Sequence, residues 1–203
     1  QPWDNLKFDV EGIEEIRRKF FGTLYNIYSF FALYANLDGF TYSEEDVPYA
    51  ERPEIDRWIL SELNTLVHKV EEALDDYEPT RATRLIQYFT GENLSNWFVR
   101  LSRRRYWKSD ASSLDKLSAY QTLYTCLETL SRLISPFAPF YADRLFRDLN
   151  AVTGKDTSAS VHLADYPVYN AAMVDKALEE RMELAQKVCS MGLSLRKREM
   201  IRV

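Results

Sequence analysis

The sequence predicts an all-α bundle of five or six helices, and three observations carry that reading. Apolar residues recur at three- and four-residue spacing through most of the 203 positions. Only 6 glycines occur, which disfavours turn-rich β architecture. No two alternating apolar runs are placed to pair as strands, so helix packed on helix is the layer arrangement that remains.

The first helix is expected from Val10 to about Asn36, where Ile16, Phe20, Leu24, Ile27, Phe31 and Tyr34 share one face and Gly39 stops the run. Residues 39–52 read as a loop broken by Pro48 and Pro53. A second long helix follows, with Ile55, Ile59, Leu63, Leu66, Val70, Leu74 and Tyr77 on its apolar face. Pro79 interrupts it, and Thr80 is expected to cap a third helix reaching about Trp107. After the polar break 109–113, Tyr120, Leu123, Leu127, Leu130 and Ile134 mark a fourth helix. Pro136 and Pro139 must stop it, and another helix is expected from about Ala138 to Leu149. The segment 160–167 reads as extended chain laid across the bundle, and a last helix is expected from about Ala171 to Arg198. Met200-Ile201-Arg202-Val203 would then begin a strand. In domain terms, 1–9 is expected to be a linker ahead of the bundle. Residues 10–170 would form the bundle, and 171–203 a C-terminal helix leading to a further region.

Composition narrows function by exclusion. Hydrophobic residues make up 46% and charged residues 28%, an ordinary globular balance, and no apolar run approaches the roughly 20 residues of a membrane helix. Cys126 and Cys189 lie far apart in helical patterns, as expected of buried thiols in a reducing compartment. The histidines are His68 and His162, and neither has a cysteine or histidine at metal-ligand spacing. No glycine-rich phosphate loop or nucleophile elbow appears, and His162 reads as a structural histidine. The acidic pairs Glu71-Glu72 and Glu179-Glu180 read as solvated faces. No catalytic site is expected within these residues.

Against a net charge of −5, residues 96–108 stand apart, with five cationic residues and four aromatics in thirteen positions. At α-helical spacing Asn96, Arg100, Arg103 and Trp107 form one stripe, while Leu94, Phe98 and Leu101 point the opposite way as anchors. Guanidinium forks, an amide and an indole suit phosphates and unstacked bases. The same segment also fits a solvated arginine face with Trp97 and Trp107 as rim residues. The acidic balance counts against a sequence-blind polyanion binder and leaves room for a local patch reading a few nucleotides.

Beyond these physical readings, Asp56-Arg57-Trp58-Ile59-Leu60-Ser61, then Leu94-Ser95-Asn96-Trp97-Phe98-Val99-Arg100, then Ser102-Arg103-Arg104-Arg105-Tyr106-Trp107 resemble the anticodon-binding domain of isoleucyl-tRNA synthetases. Leu133 to Phe140 is similar to a proline-kinked junction shared by class I synthetases for isoleucine, valine, leucine and methionine. Ser160 to Leu163 with Tyr166-Pro167, and Ser194 to Arg198, extend the likeness over nearly the whole chain. The family's His-Ile-Gly-His and Lys-Met-Ser-Lys-Ser signatures are not in this sequence.

The resemblance implies a module that holds the anticodon stem-loop of tRNA(Ile), with Asn96, Trp97, Arg100, Arg103, Arg104, Arg105, Trp107 and Lys108 as the RNA-facing residues. In an alternative arrangement Asn96 and Arg100 brace neighbouring helices and only the triple arginine meets RNA. It also implies a longer cytoplasmic enzyme using ATP and Mg²⁺ to join isoleucine to its tRNA. No cofactor is expected here, zinc would belong to a C-terminal region outside this chain, and the catalytic and C-terminal domains would be partners within one polypeptide. Two other readings stay open: the equivalent module of a valyl or leucyl enzyme, and a helical scaffold whose basic helix docks an acidic protein.

Overall fold

The computed structural model describes residues 8–108 and 113–201; residues 1–7, the break at 109–112 and the final two residues lie outside it. Among the described residues there is no strand, and the architecture is the expected all-α bundle. Six helical rods build it. The first runs through α1 (Val10–Ile16), a π-helical turn (Arg17–Phe21) and α2 (Gly22–Asp38). The second is α3 (Glu54–Asp75). The third joins α4 (Pro79–Tyr88), a long π-helical segment (Phe89–Val99) and α5 (Arg100–Lys108). Then come α6 (Leu114–Leu133), α7 (Pro139–Thr153) and α8 (Lys176–Arg198).

Helices α3 and α6 form the centre. Helix α3 packs on α4, α6, α8 and the long π segment, and α6 packs on α2, α5 and α7. Most of the apolar faces fall where the spacing puts them: Leu24, Ile27, Ile59, Leu63, Val70, Leu123, Leu127 and Leu130 are almost fully buried. Ile16, expected on the first helix's face, is instead 55% exposed, on a helix, α1, that buries no residue. Gly39 closes α2 at φ 70°, a left-handed cap that glycine adopts without Cβ strain. Tyr77, assigned by spacing to the apolar face of α3, instead lies past its end with positive φ and projects into solvent. Leucines and phenylalanines at this density stabilise by about 25 cal/mol for each Å² of apolar surface removed from water, so the two central helices dominate the stability.

Several boundaries move for local reasons. Thr80 does not cap α4; Pro79 takes the first helical position behind Glu78, where its missing N–H costs nothing. Helix α7 begins at Pro139 for the same reason. Helix α8 starts at Lys176, because the side chain of Asp175 accepts from the backbone N–H of Leu178. Residues 160–167 lie across α7 as expected but contain a single 3₁₀ turn, Val161–Leu163, pinned by the hydroxyl of Ser160 donating to Asp143 at 2.6 Å. Cys189 is exposed, unlike Cys126. His162 lies 3.3 Å from the carbonyl of Pro139, a structural contact.

Glu179, expected on a solvated face, is the polar key of the α3–α8 seam. Its carboxylate accepts from Ser61 at 2.6 Å, Thr65 at 2.7 Å and Lys176 at 2.8 Å. Burial opposes ionisation there, but the Lys176, Ser61 and Thr65 donors outweigh it and hold the group below the ordinary range. Its neighbour Glu62 behaves oppositely. Burial first, and the charge of Glu179 second, push Glu62 up to about 7 against the smaller pull of Trp58, Lys69 and Lys176.

The folded chain therefore binds a proton at Glu62 more readily than the unfolded chain between the ordinary value of 4.5 and about 7. Stability must fall as pH rises through that window. Glu62→Gln is expected to remove the slope, gaining on the order of 1–2 kcal/mol over the parent at pH 7.5 and nothing at pH 4.5. Urea denaturation at the two pH values checks this. Equal curves for both proteins at pH 7.5 would refute it.

Candidate nucleic-acid interface

The third rod presents the candidate surface, and its winding decides which side chains face out. Ala82, Ile86, Thr90, Leu94, Phe98, Ser102 and Tyr106 are all buried, at a constant spacing of four. In an α-helix of 3.6 residues per turn each such step overshoots by about 40°, so the face would wind away from the core. The π segment at Phe89–Val99 has a wider turn and takes up the excess. Locally, the Thr90 hydroxyl donates to the Ile86 carbonyl at 2.8 Å and competes for an acceptor of the α ladder, beside the weak helix former Gly91. The shorter π turn of the first rod has the same neighbours, with Gly22 next to Thr23, whose hydroxyl donates to Lys19 at 2.7 Å.

The phase shift corrects one predicted anchor. Leu94 and Phe98 are buried, but Leu101 is half exposed because Ser102 takes the inward position. It also sorts the predicted RNA-facing residues. Asn96, Arg100, Arg103, Arg104 and Trp107 are exposed along one continuous side. Trp97 packs partly buried against the core, so the indole that offers a free face is Trp107, at 54% exposure. For Lys108 the structure describes the backbone only, and the placement of its side chain lies outside the described residues.

Arg105 is the clear correction. Its guanidinium is held bidentately by Asp56, at 2.6 and 2.8 Å, and donates to the Asp115 carbonyl at 2.7 Å. The Asp115 carboxylate lies 2.8 Å from Nε. Asp56 is fully buried and also accepts from the Ser118 hydroxyl. One carboxylate thus ties α3, α5 and α6 together. Next to it, Tyr106 is 1% exposed, donates to the Ala119 carbonyl at 3.0 Å, and meets Phe30 and Tyr120 edge-on. With Arg105 and Tyr106 turned inward, Arg103, Arg104 and Trp107 are turned out. An arginine triplet does not reveal which member is inward until its carboxylate is known.

Among the described residues Arg100, Arg103 and Arg104 have no ion-pair or hydrogen-bond partner, whereas arginines elsewhere such as Arg132, Arg144, Arg147 and Arg181 are paired with carboxylates. Asn96 donates to Glu92 at 3.2 Å, an exposed contact that a base edge can displace. Arg84 and Tyr88 continue the same exposed side upstream. Counting back in fours from Asn96 through 92, 88 and 84 was the available signal for them, hidden by the assumption of a 3.6-residue period. Planar donors without internal partners beside an exposed indole can bind phosphates and stack a base, chemistry suited to an unpaired RNA loop. Among the described residues no group of three or more histidine, cysteine or acidic side chains is placed to hold a metal ion, and no helix is long and apolar enough to cross a membrane.

Comparison with known proteins points the same way. Over its full length the chain is 63% identical to the isoleucine–tRNA ligase of Bacteroides thetaiotaomicron and 65% identical to that of Porphyromonas gingivalis. It is 51% identical to that of Dehalococcoides mccartyi, again over the whole chain. It spans 17%, 17% and 20% of those relatives, so it corresponds to about a fifth or less of their length. Residues 56–202 match the model of the anticodon-binding domain of tRNA ligase, and the chain belongs to that family.

Proposed function

We propose that this chain grips the anticodon stem-loop of tRNA(Ile) on behalf of an isoleucine–tRNA ligase. The observation that carries this reading is the side formed by Asn96, Arg100, Arg103, Arg104 and Trp107, solvent-facing and with its arginines unpaired, on a protein of net charge −5. Anticodon bases splayed from the loop stack on Trp107, Arg103 and Arg104 engage phosphates or base edges, and Asn96 exchanges Glu92 for a base. The isoleucine assignment is supported by the isoleucine–tRNA ligases that match the whole chain. In the longer enzyme, ATP and Mg²⁺ would activate isoleucine at a site outside these residues, and zinc would sit in the C-terminal region. The location would be the cytoplasm, where tRNA is charged. The exposed apolar residues Val10, Ile13 and Ile16 on α1 and Leu184, Val188 and Met191 on α8 are suited to packing against other domains of the same chain.

Competition tests the proposal. Labelled tRNA(Ile) bound to the 203-residue chain at low salt is displaced by unlabelled tRNAs that differ in anticodon. Displacement is expected at the lowest concentration by tRNA(Ile), and only at several-fold higher concentration by tRNAs with valine or leucine anticodons. Equal displacement by all of them, or by a polyanion of matched charge, would sink the assignment.

A further inference from the structure

Beside the RNA-facing side runs a groove of about 610 Å³ between the π-wound turn of the first rod and the α4–π segment of the third. Arg18 stands on one wall; Arg84, Gln87, Tyr88 and Asn96 stand on the other. Gly91 lies between them, and a Cβ built there would meet no heavy atom within 4 Å, so the chain's backbone is open to a close approach. Two further charges are already committed: Lys19 pairs with Glu15, and Glu92 accepts from Asn96. Arg18 and Arg84 are exposed, and among the described residues neither makes an ion pair or hydrogen bond, though the charge of Arg18 also acts on Glu15, which Lys19 holds.

Two exposed guanidiniums, one on each wall of an open polar trough, form a place for a linear polyanion. The groove is continuous with the proposed RNA-facing side, because Asn96 belongs to both. From Arg84 to Trp107 the third rod rises roughly 30 Å. That length matches on the order of nine phosphates of one strand along a duplex, more than an unpaired loop presents. The two ends differ in kind. The Trp107 end carries a stacking indole beside three arginines, whereas the groove end sets arginines on two walls, with the smaller exposed ring of Tyr88 and the amide of Gln87 between its charges.

We infer that this groove seats the sugar–phosphate backbone of a double-stranded stem through Arg18 and Arg84, holding RNA without regard to base sequence while the Trp107 end reads the loop. The inference rests on the proposed RNA-binding role and deepens it. Contacts of this kind weaken binding uniformly across sequences and lower its salt dependence when removed.

The test uses the 203-residue chain with two stem-loop RNAs, one carrying the isoleucine anticodon and one with the anticodon bases replaced, and a third with the stem cut to two base pairs. Arg18→Ala combined with Arg84→Ala is expected to weaken both full-length stem-loops by the same factor, about tenfold at 50 mM salt, and to reduce the slope of log affinity against log salt by about 2. The short-stem RNA should not sense the change, and Arg18→Lys with Arg84→Lys should recover most of the loss. Melting by circular dichroism confirms that the variants are folded, as expected for exposed side chains. Full binding by the alanine pair, while Arg103→Ala and Arg104→Ala weaken it, would overturn the groove and leave the proposed function standing. A loss confined to the isoleucine stem-loop would overturn the backbone assignment. Indifference to both sets of variants would overturn the two together.

Discussion

Replacing Asp56 with alanine is expected to cost about 3–5 kcal/mol, the loss typical of breaking a buried ion pair from one side. Asp56 is fully buried, takes both fork nitrogens of Arg105 and accepts from Ser118, so its removal leaves a 13%-exposed guanidinium without its main counter-charge. For a chain of this length each kcal/mol moves the melting point by roughly 2–4 °C, which puts the expected shift at about 6–20 °C. The double change Asp56→Leu with Arg105→Met should be markedly milder than either single alanine substitution, because no charge is then stranded. Thermal melts of the four proteins decide the matter. A double variant as unstable as the sum of the singles would show that packing, and not the pair, is what the site supplies.

Trp107→Ala is expected to weaken binding of the isoleucine stem-loop by about 1–3 kcal/mol, the range measured for one base stacked on an aromatic ring. Trp107→Phe should retain most of the affinity, since a smaller ring still offers a stacking face. Arg103→Ala and Arg104→Ala should each lower the salt slope by nearly 1 if the side chain meets a phosphate, and should instead change the preference between anticodons if it meets a base edge. All three side chains are exposed, so melting points should stay within a few degrees of the parent. Filter binding across a salt series separates these results. An indole that can be deleted without effect would remove the stacking step from the proposal.

Much of the bundle was legible because its core follows simple periods. The α6 stripe Tyr120, Leu123, Leu127, Leu130 and Ile134 is buried as spaced. The resemblance singled out the candidate segment, and Arg103, Arg104 and Trp107 within it are exposed, with both arginines free of ion pairs among the described residues. What escaped had two physical causes. The first was winding: a fixed 3.6-residue period sent Leu101 inward and concealed Arg84 and Tyr88, because no propensity rule announces an eleven-residue π segment. The second was long-range pairing. Arg105 and Asp56 are 49 positions apart, and Glu179 and Ser61 are 118 apart, so neither partner could be assigned from local pattern. The run Asp56-Arg57-Trp58 served as a family marker, and its structural meaning appears only with Arg105 beside it.

The wide-wound stretch between Phe89 and Val99 also sets the aim of everything beyond it. Each added or missing residue there would turn α5 by roughly 100° about its axis. One such turn would carry Arg105 away from Asp56 and swing Trp107 out of line with Asn96. The direction in which the cationic end points is therefore encoded as a number of residues, and a change of length in this stretch would redirect the surface without altering a single side chain on it.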